Sequence, residues 1–279
     1  MKLVFEKSAA NFLKVNEEML LQNETRHNLM LGLADQISTG IREATAPLYI
    51  SCYEGDKLVG QAIRTDAHTP LSLGLMDNDL ALTIGKELQT RGEKVVAVIG
   101  EMENAKTFAD FWLDGAKYSN HIDQGIFELR TLKMPELDDG RVILATEEHR
   151  EILIDFCIGF INDCYENPYD QEIHSKEVVA RHLPRNEVFL WLNKNDEVCS
   201  MAIKNRESKN GATISYVYTP PRHRRKGYGA RVTACLSQKI LYSGKQFCNL
   251  YTDLANPTSN SIYQKIGYKK IGESIHISF

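Results

Sequence analysis

One succession of elements is written twice along these 279 residues, and that repetition constrains the fold more than any other feature. Phe12, Val15 and Met19, then Leu29, Met30, Leu33 and Ile37, recur at three- to four-residue intervals and predict helices over the first ~45 residues. The period then switches to that of strands. A strand at 48–53, a turn at Glu54-Gly55-Asp56 and a strand at 58–63 read as a hairpin. A short strand at 71–75, a helix at 79–90 ending near Gly92, a buried strand at 95–99, a helix at 108–114 and a strand at 126–132 follow. The second half repeats the order: a helix at 152–165, a hairpin of 188–192 and 198–203 around Asn193-Lys194-Asn195-Asp196, and a strand at 212–218. A helix at 229–241 has Val232, Leu236 and Ile240 on one face and Gly244 just past its end. A strand at 247–252, a short helix at 259–266 and a strand at 270–278 close the chain. An internal duplication of one α/β unit accounts for this order.

Charge divides the halves as well. Residues 1–135 hold 14 Lys and Arg against 19 Asp and Glu, whereas residues 136–279 hold 19 against 18. The change falls at Met134-Pro135-Glu136-Leu137-Asp138-Asp139-Gly140, which reads as a linker. Two domains are therefore expected, 1–135 and 136–279. With 43% hydrophobic residues the chain fills a real core, which excludes a disordered or fibrous protein. The net charge of -4 speaks against nucleic acid or an anionic membrane as partner. Glu6 and Lys7 interrupt the N-terminus too early for a secretory segment, and no apolar run approaches the ~20 residues of a membrane span. A cytoplasmic location is the resulting expectation. The six cysteines lack Cys-x-x-Cys spacing and the eight histidines lack His-x-x-x-His spacing, so reduced thiols and no metal are expected.

The most informative stretch is Tyr216-Val217-Tyr218-Thr219-Pro220-Pro221-Arg222-His223-Arg224-Arg225-Lys226-Gly227-Tyr228-Gly229-Ala230. A strand stops at two prolines, cations follow, and Gly-x-Gly opens a helix. Glycines admit unusual backbone angles and close approach of a ligand. The first amides of a helix have no partner inside it and point outward with the positive end of the dipole. Such a terminus, flanked by Arg and Lys, suits a phosphate or pyrophosphate. A dinucleotide-binding turn fits less well, because Val232 stands where a small residue is needed and about eight residues separate strand from glycines. A Walker loop is absent, since no Gly-Lys-Ser/Thr follows. A plain solvated basic loop is the bland alternative.

Arg224-x-x-Gly227-x-Gly229 resembles the Arg/Gln-x-x-Gly-x-Gly/Ala signature of the GNAT N-acetyltransferase superfamily. About 30 residues on, Asn256-Pro257-Thr258-Ser259-Asn260-Ser261-Ile262-Tyr263-Gln264-Lys265-Ile266-Gly267-Tyr268 resembles the family's later motif. The resemblance covers roughly residues 140–279. It implies an α/β (α+β) fold, a mixed, mostly antiparallel sheet with flanking helices, here in two tandem copies. It implies an acyl-CoA-dependent N-acyltransferase using acetyl-CoA as co-substrate, with no metal, on a small-molecule or peptide amine acceptor. Two parallel strands would splay, and backbone at Val217 and Tyr218 would meet the pantetheine amides. Arg224, Arg225, Lys226, Gly227, Tyr228, Gly229 and Ala230 would hold the pyrophosphate, and Asn256 and Asn260 the pantetheine arm. Tyr263 matches the family's tyrosine near the thioester sulfur, where its hydroxyl can donate to the departing thiolate. Packing alone is the other reading of Tyr263, and a strand-end turn that of Asn256. No general base is assigned; Asp253 and Glu187 are candidates by sequence proximity alone. A non-catalytic coenzyme A-binding sensor or partner module is the alternative function.

In the first half the position matching the phosphate loop, Met76-Asp77-Asn78-Asp79, lacks Gly-x-Gly and cations, and its aspartates repel phosphate. A degenerate copy that does not bind the cofactor is expected there.

Overall fold

In the computed structural model, which describes residues 1–137, 139–164 and 170–279, the first elements are β1 (Lys2–Phe5), α1 (Ala9–Leu21), α2 (Asn28–Ser38), β2 (Leu48–Glu54), β3 (Lys57–Arg64), β4 (Leu71–Leu73), α3 (Asn78–Thr90), β5 (Ala97–Gly100), α4 (Met102–Trp112) and β6 (Asn120–Leu129). They are followed by β7 (Arg141–Leu144), α5 (Arg150–Cys164), α6 (Gln171–His182), β8 (Val188–Leu192), β9 (Val198–Glu207), β10 (Gly211–Tyr218), α7 (Tyr228–Tyr242), β11 (Phe247–Asp253), α8 (Pro257–Lys265) and β12 (Lys269–Ser278). The chain forms two compact units, Met1–Ile126 with Lys270–Phe279, and Phe127–Lys269.

In the first unit the strands lie in the order β1-β2-β3-β4-β5-β12. All neighbours are antiparallel except β4 and β5, which run parallel with Leu71 opposite Val98 and Ser72 opposite Ile99. The hairpin β2–β3 turns at Gly55, whose φ of 58° is a left-handed value that glycine adopts without steric cost. Helix α3 buries Leu80, Ile84 and Leu88 at helical spacing against β2, β4 and β5, with Ile275 and Ile277 of β12 in the same core. Each such side chain removed from water contributes roughly 2 kcal/mol.

In the second unit the order is β7-β8-β9-β10-β11, again antiparallel except for one parallel pair, β10 and β11. Val232, Leu236 and Ile240, the face read from sequence, are buried under α7 in a core with Trp191, Cys248, Leu250, Tyr263 and Tyr268. On the opposite face α5 and α6 cover Leu190, Met201, Ile203 and Tyr218. Both units thus carry the unit strand–helix–parallel strand, β4-α3-β5 and β10-α7-β11. The mixed, mostly antiparallel α/β architecture expected from the sequence is the one observed.

Three elements lie outside the expected order: β1, β7 and α6. The first turns of α6 are Gln171-Glu172-Ile173-His174-Ser175-Lys176, with no apolar period to read, and the helix packs through Ser175, Val178, Val179 and His182. Strand β6 begins at Asn120, ahead of the expected start, over polar residues. The units also differ from a cut between residues 135 and 136. The last strand, β12, pairs with β5 from Ser278↔Ala97 to Ile275↔Gly100, and Phe127 and Leu129 of β6 join the second core. Asp138 of the expected linker and Tyr165 at the expected helix end lie outside the described residues. All six cysteines are free thiols. Among the described residues, no helix is long and apolar enough to cross a membrane.

Candidate functional site

Parallel strands β10 and β11 bring both sequence motifs to one end of the second unit's sheet. Their register runs Gly211↔Phe247, Ala212↔Cys248 and Thr213↔Asn249, and goes no further among the described residues, although β10 continues to Tyr218 and β11 to Asp253. On its other side β10 pairs with β9 through Ser215↔Ile203, then skips to Tyr218↔Met201. The skip is a bulge. Tyr216 takes φ 51°, a left-handed value uncommon for a bulky side chain. The strand ends therefore diverge, leaving main chain around Val217 outside the ladder.

Several contacts hold the end of β10. The Tyr218 ring packs edge-on to Phe156 at 5.5 Å, and its hydroxyl fills the notch at Gly159, where a Cβ would lie 2.3 Å from it. The Ser200 hydroxyl donates to the Tyr218 carbonyl at 2.9 Å, so the chain itself engages that carbonyl. Pro220 and Pro221 enter a short 3-10 turn, after which Arg224 is extended, Arg225 left-handed (φ 64°) and Gly227 left-handed (φ 80°). Gly227 is the N-cap of α7 and brings no side chain to cap it. The first helical bond is Arg231 N–H to Gly227 O at 3.1 Å, so the amides before Arg231 stand outside the helical ladder. A Cβ at Gly229 would meet Thr219 Oγ1 at 3.4 Å and Val217 at 3.9 Å, which places the helix start directly against the end of β10. Tyr228 is buried in the core and anchors this first turn.

The cations divide between structural and open roles. Arg224 donates through Nε to the Thr219 carbonyl at 2.9 Å and pairs with Asp163 at the end of α5. Arg231 braces the loop, donating to the carbonyls of Lys226 at 2.7 Å and Glu136 at 3.0 Å. Arg225, Lys226 and Gly227 are exposed at the helix start. An anion there would meet the positive helix end and these side chains together. The residues present therefore fit a phosphate-bearing group.

At the end of β11, Asn256 caps α8, its Oδ1 accepting from the Ser259 amide at 3.1 Å, with Pro257 at the first helical position. Asn260 donates to the carbonyls of Asp253 and Leu254 at 3.3 and 3.4 Å and ties the helix to the strand end. Both asparagines thus have local structural work at the start of α8. Tyr263 is 8% exposed, edge-on to Tyr268 at 6.0 Å. Burial, and then the neighbouring Cys164, hold its hydroxyl well above the usual tyrosine pKa. Burial, with Asp163 and Asp253 nearby, pushes the Cys164 thiol up to about 11. A protonated tyrosine in a dry setting is able to donate but not to act as a base.

Of the carboxylates considered as base, Glu187 is buried and committed to His182 Nδ1 at 2.7 Å and Arg185 at 2.9 Å. Asp253 Oδ1 accepts from the Ala255 amide at 2.8 Å. Sequence reading missed the group around Tyr216: its hydroxyl lies 2.9 Å from His174 Nε2, and its ring packs on Phe160 at 4.7 Å. His174 stands 42 residues away on α6, and nothing in its local sequence announces the contact. The absence of metal spacing also hid a cluster: Glu197, Cys199 and His223 present potential ligand atoms within 4.8 Å of one another. His223 Nε2 lies 3.1 Å from Glu197, Cys199 donates to the Glu197 carbonyl at 3.2 Å, and Lys226 and Arg222 are felt electrostatically at the thiol. These internal bonds and nearby cations oppose a divalent ion.

Known solved structures share this fold. Residues 194–277 match the family model described as FR47-like protein. No curated protein sequence matches the chain. In fold, the chain is similar to an acetyltransferase of the GNAT family from Colwellia psychrerythraea, at 14% identity, 100% of both chains and a TM-score of 0.59. A GCN5-related N-acetyltransferase from Sphaerobacter thermophilus is similar over 99% of this chain and 94% of its own, at 10% identity and a TM-score of 0.65. A tandem GNAT protein from the clavulanic acid biosynthesis pathway covers 100% and 98%, at 11% identity and a TM-score of 0.61. With its two strand–helix–parallel strand units and the motifs at the end of the second, the chain has the GNAT acetyltransferase fold over its whole length, and its segment 194–277 is FR47-like.

Proposed function

We propose that this protein transfers an acetyl group from acetyl-CoA to an amine, with both substrates held together in the second unit. The observation that carries the reading is the helix start at Gly227, where left-handed Arg225 and Gly227 and exposed cations stand at the open end of diverging β10 and β11. Acetyl-CoA supplies the activated acyl group. Arg225, Lys226 and the amides from Gly227 to Ala230 bind and orient its phosphates. Main chain at Val217, outside the ladder, takes the place of a missing strand partner for the pantetheine amides. Asn256 and Asn260 fix the end of β11 that forms the other wall. Tyr263 holds its proton until a thiolate departs and then donates to it. Most of the rate comes from positioning two reactants in one cleft. The first unit binds no cofactor, because Asp77 occupies the equivalent helix start.

The test is calorimetric binding of acetyl-CoA to the intact chain, paired with thiol release over a panel of amines. Binding with amine-dependent thiol release is expected. Binding without turnover for any amine assigns a coenzyme A-binding module instead, and absence of binding removes the reading.

A further inference from the structure

The β8–β9 hairpin continues past the end of its ladder to the loop that opens α7. Tyr218 lies opposite Met201, and the same antiparallel register carried outward sets Thr219 opposite Ser200 and Arg222 opposite Glu197. Side chains make both contacts. The Ser200 and Thr219 hydroxyls are 2.9 Å apart. Glu197 Oε1 lies 3.1 Å from His223 Nε2 and 3.9 Å from Arg222 Nε, and Arg222 Nε donates to His223 Nε2 at 3.2 Å. The other carboxylate oxygen accepts from Asn193 Nδ2 at 3.1 Å. The turn is closed by its own bonds. Asn193 Oδ1 accepts the amides of Asn195 at 2.9 Å and Glu197 at 3.1 Å, and the Asn193 amide donates to the Glu197 carbonyl at 3.0 Å. Glu197 therefore stands on a fixed turn with its carboxylate against the loop. His223 is 4% exposed, and its ring meets Tyr228 edge-on at 6.3 Å, so the contact runs on from the turn to the first residue of α7.

The loop's basic residues are sorted by this arrangement. A carboxylate of the fold faces each of the first three, Glu197 at Arg222 and His223 and Asp163 at Arg224, and exposed Arg225 and Lys226 follow. Arg225 takes a left-handed φ of 64°, a value an unrestrained arginine rarely holds. A charged contact half open to water adds little to global stability, but it can decide how often a loop is in its binding form. We infer that Glu197 is a positioning residue for coenzyme A: from the β8–β9 turn it holds Arg222 and His223 and so presets the loop, without touching the ligand. This inference deepens the acetyl-transfer reading and rests on it. Direct contact of Arg222 with a phosphate is the competing account, and the experiment separates the two.

Coenzyme A is titrated calorimetrically into the intact protein, Glu197→Ala, His223→Gln and the double variant, with melting temperatures recorded alongside. Glu197→Ala should weaken binding about tenfold, as when roughly a tenth of the loops stay preset, with the melting temperature unchanged. The double variant should bind no more weakly than the weaker single variant, because both substitutions remove one contact. In the thiol-release assay the KM for acetyl-CoA should rise by the same factor while kcat is unchanged. If His223→Gln fails to fold, Arg222→Gln takes its place in the cycle. Unchanged binding by Glu197→Ala overturns the inference. Tighter binding overturns it too, since an Arg222 released to the phosphates would then outweigh the lost brace. So do losses that add to about a hundredfold in the double variant, or a kcat or melting temperature that falls with affinity. An intact protein that binds no coenzyme A defeats the acetyl-transfer reading itself, a result that none of the variants can give.

Discussion

Helices α3 and α7 start in equivalent places, each after a strand that runs parallel to the strand following the helix, yet they start in opposite chemistry. At α3 the Asp77 carboxylate accepts the Leu80 amide at 2.8 Å, and Asp79 stands in the first turn. The chain supplies its own anion there. The loop before it is closed as well. His27 Nε2 accepts the Leu75 amide at 3.1 Å while Nδ1 donates to the Leu20 carbonyl at 2.9 Å, and Asn104 donates to the Met76 carbonyl at 2.7 Å. At α7 the cap is a glycine, the loop is cationic, and the amides before Arg231 stand outside the helical ladder. On the proposed function, one backbone frame serves either as a closed scaffold or as an anion receptor. A handful of side chains at the helix start decides which.

The strongest way to break this comparison is at Gly227. A valine there must adopt φ 80°, which costs ~1–3 kcal/mol of strain, so Gly227→Val should lower coenzyme A affinity at least ~100-fold by calorimetry with the fold retained. Unchanged affinity separates the helix start from the phosphates. Next in size, Tyr263→Phe should reduce turnover ~100-fold or more with little change in coenzyme A affinity. Equal losses in both would make Tyr263 a packing residue. The first unit gives the contrasting result. Asp77→Ala should lower stability by about 1 kcal/mol in urea denaturation through the lost cap, and leave coenzyme A affinity untouched. A change in that affinity would mean the first unit takes part in binding.

The smallest effect is one of pH. Burial, the largest cause in each case, lowers the pKa of His27, His182 and His276 below 6.5. The unfolded chain then takes up protons first as pH falls. Their contribution is fully present above pH 6.5 and declines as pH drops through the folded values. The urea midpoint should therefore be lower at about pH 5.5 than at about pH 7.5. A midpoint that rises on acidification contradicts the neutral, buried imidazoles, His27 between two backbone groups among them.

The parts legible in the sequence were those with local physics. The hairpins, the α7 face of Val232, Leu236 and Ile240, and the cationic loop before Gly-x-Gly all follow from neighbouring residues. Helix α6 escaped because its first turns are polar and its packing runs through Ser175 and His182. The placement of β12 beside β5 escaped because pairing between distant segments leaves no trace in either one. The Tyr216–His174 contact depends on a bulge in β10, which only the assembled sheet fixes. The dual role of Asn256, motif residue and helix cap, shows a pattern match and a structural need meeting on one side chain.

The most direct measurement is the stoichiometry of coenzyme A binding to the intact chain by titration calorimetry, with Gly227→Val as the partner experiment. One molecule per chain, lost in the variant, is the predicted result. Two per chain, or one that persists in the variant, would contradict the assignment of an open receptor at α7 and a closed one at α3.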